Sequence, residues 1–165
     1  MWSGAWPSLE IIHLRDSLEA TVQLVNRTPR DQPDEVTRAL ARFLVIRACG
    51  YLERVAEEAC RSYIRARSTP QIAQYGASWL GRGSNPTPEH LVQLVNRFDS
   101  TWATELETTL CADDELLWRE IALLVDRRNK MSHGLSEGTG SRMALDLAAH
   151  ARTVGEWFVV RFDPR

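Results

Sequence analysis

From Asp34 to Arg67 the chain runs without a proline, and Val36, Leu40, Phe43, Leu44, Ile46, Tyr51, Leu52, Val55, Ala59, Tyr63 and Ile64 recur at the three- and four-residue steps of an amphipathic helix. That is long for a globular helix, and its apolar stripe has to be buried by other elements. Gly50 interrupts the run. An interior glycine costs about 1 kcal/mol relative to alanine, so a bend or a close helix crossing is expected there. Arg54, Glu57, Glu58 and Arg61 stand at spacings that suit i,i+3 and i,i+4 pairs, which reads as a solvated face carrying weak ion pairs.

The remaining segments supply partners of the same kind. Leu9, Ile12, Leu18, Val22 and Val25 mark a first helix from Ser8 to about Arg27, with Ser8 as its cap and the two prolines of Thr28 to Pro33 as the turn after it. Ser68 to Pro88 is less regular. A short helix is expected within Gln71 to Leu80, while Gly76, Gly81, Gly83 and the run SNPTP mark loop. This stretch gates a cleft, contacts a substrate or simply connects helices; the sequence leaves the three open. Thr87-Pro88-Glu89 then opens a helix through Leu91, Leu94, Val95 and Phe98. Asp99 or Ser100 is placed to cap a further turn or two through Trp102, Leu106 and Leu110. Asp113 and Asp114 introduce a helix from Leu116 to Gly134, and a last helix spans Ser141 to Phe162 on the pattern Met143, Leu145, Leu147, Ala148, Ala151, Val154, Phe158 and Val159. No stretch alternates as a strand would. The expectation is an all-α fold, a single helical bundle of about four or five main helices in one domain spanning 1–165.

Composition removes several function classes. With 165 residues and 44% hydrophobic content, one core is the default. A net charge of −2 lacks the footprint of a nucleic-acid-binding domain, whose pI lies above about 9, so any contact with RNA or DNA has to be local. Lys130 is the lone lysine among 20 basic residues, and arginine suits bidentate phosphate contact. The cysteines Cys49, Cys60 and Cys111 are odd in number and form no CxxC, so they read as small core residues, and neither a disulfide framework nor a zinc site is expected. The N-terminus has no basic region followed by an apolar run, and no eighteen consecutive apolar residues occur, so a cytoplasmic protein without signal peptide or membrane span is expected. P-loop, GxGxxG, HExxH and GxSxG motifs are absent. His13, His90 and His150 lie in amphipathic helices and read as surface or structural histidines.

What remains is the end of the Leu116–Gly134 helix. Leu117, Ile121, Leu124 and Val125 form its apolar side, and the same stripe continues to Arg128 and Ser132. An arginine therefore stands where a core leucine was due, and arginine is almost never fully buried without a partner. Its surroundings are a cleft, a subunit interface or an ion pair. Asn129 and His133, four residues apart, share a flank of that face, and Gly134 is placed for a left-handed C-terminal cap.

The stretch Arg128-Asn129-Lys130-Met131-Ser132-His133-Gly134 resembles the HEPN superfamily (higher eukaryotes and prokaryotes nucleotide-binding), small helical bundles with an Arg, a polar residue, a few more residues and then His at a helix end. The segment Phe43 to Ile64 looks like the long helix of the bacterial branch linked to ribosomes or phage defence. The resemblance implies a HEPN-like fold and a metal-independent endoribonuclease without cofactor, a toxin or defence effector acting on RNA as a homodimer whose two motifs share one cleft. In that reading Arg128 holds the scissile phosphate and stabilises charge on its oxygens, and His133 takes the proton of a ribose 2′-OH. Histidine suits this, since its ordinary pKa is about 6.5. Asn129 orients the imidazole or donates to phosphate, and Arg127, Lys130 and Arg142 supply a local positive field for RNA. An antitoxin or regulatory protein would accompany such a toxin. Toxins controlled by nucleotidyl transfer usually carry a tyrosine two residues after the histidine, where this chain has Leu135.

The same residues admit a plainer reading. Arg128 pairs with an acid, His133 caps the helix C-terminus, where the macrodipole favours a cation, and the bundle is a non-catalytic helical interaction module or an antitoxin-like partner.

Overall fold

The computed structural model describes residues 4–29, 31–80, 85–134 and 138–165. Among these there are seven helices and no strand: α1 (Leu9–Asn26), α2 (Asp34–Arg67), α3 (Pro70–Ala77), α4 (Pro88–Asn96), α5 (Ser100–Leu110), α6 (Ala112–Ser132) and α7 (Ser141–Arg161). Three are opened by the side chains that the sequence singles out. Ser8 Oγ accepts from the Ile11 N–H at 3.4 Å, and Thr87 Oγ1 accepts from the His90 N–H at 3.3 Å. Asp99 Oδ1 accepts from the N–H groups of Thr101 and Trp102 at 2.7 and 3.1 Å. Each such cap contributes about 1 kcal/mol. From Asp99 the chain forms 11 residues of helix, ending at Leu110, the last position of the expected apolar pattern. The loop glycines Gly81 and Gly83, and part of the Ser136–Gly140 link, lie outside the described residues.

The 34-residue α2, about 51 Å long at 1.5 Å per residue, is the element on which the bundle is built. It packs most extensively on α7 and then on α1; α4 pairs with α5, and α6 closes against α2, α5 and α7. Leu44, Val45, Leu52 and Val55 of α2 meet Ile121 and Leu124 of α6 and Leu147 and Phe158 of α7 in one core, every one of them fully excluded from solvent. Burial of a side chain of this size stabilises the fold by about 1.5–3 kcal/mol. No helix of the described residues is long and apolar enough to cross a membrane.

The tertiary structure corrects several expectations. Helix α2 runs unbroken through Gly50, and a Cβ there would meet nothing within 4 Å. The close crossing is instead at Gly155 of α7, where a Cβ would stand 2.8 Å from Cε1 and 3.0 Å from Oη of Tyr51. The charged face of α2 is also only partly a row of local pairs. Arg61 pairs with Glu57 one turn away, but Arg54 reaches Glu10 of α1. Glu58 is 9% exposed and accepts a hydrogen bond from Ser62 Oγ at 3.0 Å. Cys49 and Cys60 are core residues, whereas Cys111 is exposed, because it lies in the turn between α5 and α6 rather than on an apolar stripe.

The first turn of α6 is left-handed. Asp113, Asp114 and Glu115 have φ of 51°, 56° and 61°, so regular helix begins at Leu116. Left-handed backbone costs an L residue roughly 1–2 kcal/mol, and aspartate is among the residues that adopt it most readily. This tight reversal turns the chain from α5 into α6 and sets the register in which α6 reaches its polar end.

Candidate functional site

Along α6 the side chains of Ile121, Leu124 and Val125 enter the core, and the next position on that stripe belongs to Arg128. It is half-buried. Its Nη2 donates to Oδ1 of Asn85, a residue from the loop ahead of α4. Asn85 in turn donates from Nδ2 to Oδ1 of Asn129 at 3.3 Å. One asparagine thus ties two successive residues of the motif to the loop that carries Thr87 and Pro88. The other side of the guanidinium lies near α2, beside the Cys49 thiol. Burial pushes that thiol up from its ordinary value, and the Arg128 hydrogen bond and charge pull it partly back.

The partners of Arg128 are neutral. No carboxylate stands within ion-pair distance of it among the described residues, in contrast to Arg15, Arg54, Arg61, Arg152 and Arg161, each of which has a glutamate. The hydrogen-bond partner of Arg128 is the neutral amide of Asn85.

His133 stands differently. It is the C-cap of α6, with φ −91° and ψ 11°, and its backbone N–H donates to the carbonyls of Asn129 and Lys130 at 3.1 and 3.2 Å. Gly134, at φ 72°, takes the left-handed conformation expected of it and donates to the Met131 carbonyl at 3.1 Å. The imidazole is exposed, and no hydrogen bond joins it to Arg128 or to the Asn129 side chain. Ser132 is exposed as well, its hydroxyl donating back to the Arg128 carbonyl at 3.0 Å. The inward stripe therefore ends at Arg128. Within one chain the structure gathers Arg128, Asn129 and Asn85, and leaves His133 at the rim in solvent.

The flanking basic residues have mixed surroundings. Lys130 Nζ lies 3.1 Å from Asp126 and Arg142 Nε 3.2 Å from Asp146, both one helical turn away and both solvent-accessible, so each delivers less than a full positive charge. Arg127 is half-buried. Leu135 lies outside the described residues. Of the remaining histidines, His13 is exposed, and His150 Nδ1 stands 3.7 Å from Glu120. His90 lines a small cavity of about 50 Å³ together with Asn85. Among the described residues no group of three or more His, Cys, Asp or Glu side chains is arranged to hold a metal ion.

Two participants carry no signal in the sequence. Asn85 is one letter of a loop-forming run, 43 residues from Arg128, and Cys49 reads as a small core residue. Only the packing of α4 and α2 around α6 brings them to the arginine. Compared with protein-family models, with curated proteins and with solved structures, the chain matches none.

Proposed function

We propose that this chain is a metal-independent endoribonuclease of HEPN type, a toxin or defence effector whose site is completed by a second copy of itself. The observation that carries the reading is the state of Arg128: half-buried, hydrogen-bonded to a neutral amide and without a carboxylate partner among the described residues, beside Asn129 and five residues before a solvent-exposed histidine. Such a guanidinium suits a phosphodiester, since it offers charge and paired donors in a partly desolvated place. In the reaction, His133 accepts the proton of a ribose 2′-OH. The 2′-oxygen attacks phosphorus, the bond to the 5′-oxygen breaks, and that oxygen takes a proton from water while His133 gives the proton it accepted back to solvent. The products are a 2′,3′-cyclic phosphate and a 5′-hydroxyl.

Separation of His133 from Arg128 within one chain is compatible with a composite site in which the rims of two protomers meet. Val36, Phe43 and Ile46 favour association. They fall on one side of the N-terminal half of α2 and remain 43%, 45% and 47% exposed, an apolar stripe of the kind that marks contact surfaces. The same stripe favours a second reading, a non-catalytic interaction module that uses it to bind another protein, such as an antitoxin or regulatory partner.

Incubation of wild type, Arg128→Ala and His133→Ala with total RNA in excess EDTA separates the two. The expected result is cleavage by wild type alone, with cyclic phosphate ends. Intact RNA with all three folded proteins overturns the nuclease reading in favour of the interaction module. Cleavage that persists in either variant overturns the assignment of that residue.

A further inference from the structure

On the face formed by α2, α3 and α4 the surface opens into a groove of about 360 Å³. Its floor is Tyr63 and Phe98, whose rings meet edge to face at 6.3 Å, and Tyr63 is further braced by Trp102 and Phe162 at 5.6 and 5.7 Å. These aromatic contacts make the floor rigid before anything binds. One wall is α3. This helix has no buried residue, and Ile72, Tyr75 and the adjoining Trp79 remain 60%, 67% and 50% exposed. It is seated on α2 through Gly76, where a Cβ would come within 3.2 Å of the Ile64 side chain. Contact at that glycine leaves open space under the larger side chains on either side.

The groove falls within the size range of small-molecule sites, about 300–1,000 Å³, and has their chemistry, mostly apolar walls with a few placed polar groups. Among the described residues two arginines line it, Arg67 and Arg97, and no acidic residue does. Arg67 is engaged, lying 5.8 Å over the Tyr63 ring and donating to the Arg165 carbonyl at 3.1 Å. Arg97 is exposed, with no ion pair among the described residues. An occupant that satisfies these surfaces has an apolar body and one anionic end.

We infer that this groove is a binding site for an amphiphilic carboxylate, with the chain of the ligand lying over Tyr63 and Phe98 beneath α3 and its carboxylate paired with Arg97. The inference is independent of the nuclease reading, since it uses neither Arg128 nor His133.

Isothermal titration of the chain with decanoate, below the concentration at which decanoate aggregates, tests it. Decanol and butyrate are the comparisons, and the chain's circular dichroism serves as the control for folding of each variant. Decanoate is expected to saturate at one per chain, with decanol and butyrate each weaker by about tenfold or more. Arg97→Gln should remove the preference for decanoate over decanol, and Phe98→Glu, or Ile72→Glu if the former does not fold, should abolish both. Equal affinity for decanoate and decanol, or decanoate binding unchanged in Arg97→Gln, overturns the assignment of the carboxylate. A groove that binds none of the three, with a solution mass that falls from dimer to monomer in Ile72→Glu, assigns this face to a second copy of the chain and overturns the proposal.

Discussion

At Arg128 the decisive quantity is charge that no carboxylate of the described residues pairs with. Several other arginines lie beside glutamates, whereas this one is held by the side-chain oxygen of Asn85. Removal of a group that stabilises developing charge costs about 10²–10³ in rate, and removal of a general base about 10²–10⁴. Initial rates on an end-labelled RNA should therefore fall by those factors in Arg128→Ala and His133→Ala. Asn85→Ala should lose less than Arg128→Ala, because the charge remains while its aim loosens; an equal loss would place Asn85 against the substrate itself. The thiols provide a second test at this scale. Burial pushes Cys60 far up and Cys49 up, so both should resist iodoacetamide in the native protein, and mass spectrometry should find one adduct, on Cys111. Desolvation, and then the carboxylates of Glu115 and Glu107, raise the Cys111 pKa. Less thiolate is then present at neutral pH, so its labelling should be slower than that of a free cysteine and should keep accelerating at a pH where the free thiol has levelled off. The unusual position of Arg128 was legible, since an arginine in line with Ile121 and Leu124 is a departure from period. Its partner was not, because no periodicity links Asn85 to a helix 43 residues away.

At the level of elements, two interior glycines separate what a pattern shows from what packing decides. Gly50 stands on the longest helix and invites a structural role, yet a Cβ there meets nothing within 4 Å. Gly155 attracts no notice in the sequence, and a Cβ there would enter the ring of Tyr51. Opposite signs follow for the same substitution. Gly50→Ala should raise stability by up to about 1 kcal/mol, the helix propensity gained. Gly155→Ala gains the same propensity but forces α7 from α2, and overpacking of this kind costs about 1–3 kcal/mol. Urea denaturation midpoints of the two variants should move in opposite directions from wild type; movement of both in one direction would contradict the crossing described at Gly155. The helix starts at Ser8, Thr87 and Asp99 were readable because caps act within three residues. The left-handed turn at Asp113–Glu115 was not, since its backbone is imposed by the reversal between two packed helices.

For the whole molecule, the proposed function requires more than one chain. The exposed stripe of Val36, Phe43 and Ile46 is the surface expected to bring two copies together. Light scattering at micromolar concentration should give the mass of a dimer, and the double variant Phe43→Glu with Ile46→Glu should be a folded monomer that no longer cleaves RNA. A monomeric wild type would remove the composite site, and a monomeric variant with full activity would show that one chain suffices. The sequence by itself determined the all-helical class, the caps and extents of the longer helices, and the one arginine out of place on an apolar stripe, because all of these rest on interactions between residues at most a few turns apart. Only the tertiary structure decided that Arg128 answers to an amide rather than to an acid, that His133 faces solvent and that α7 crosses α2 at Gly155. It alone left an apolar groove open beneath α3. Each of these depends on which distant side chains the packing of separate helices brings within a few ångströms, and no local pattern encodes that.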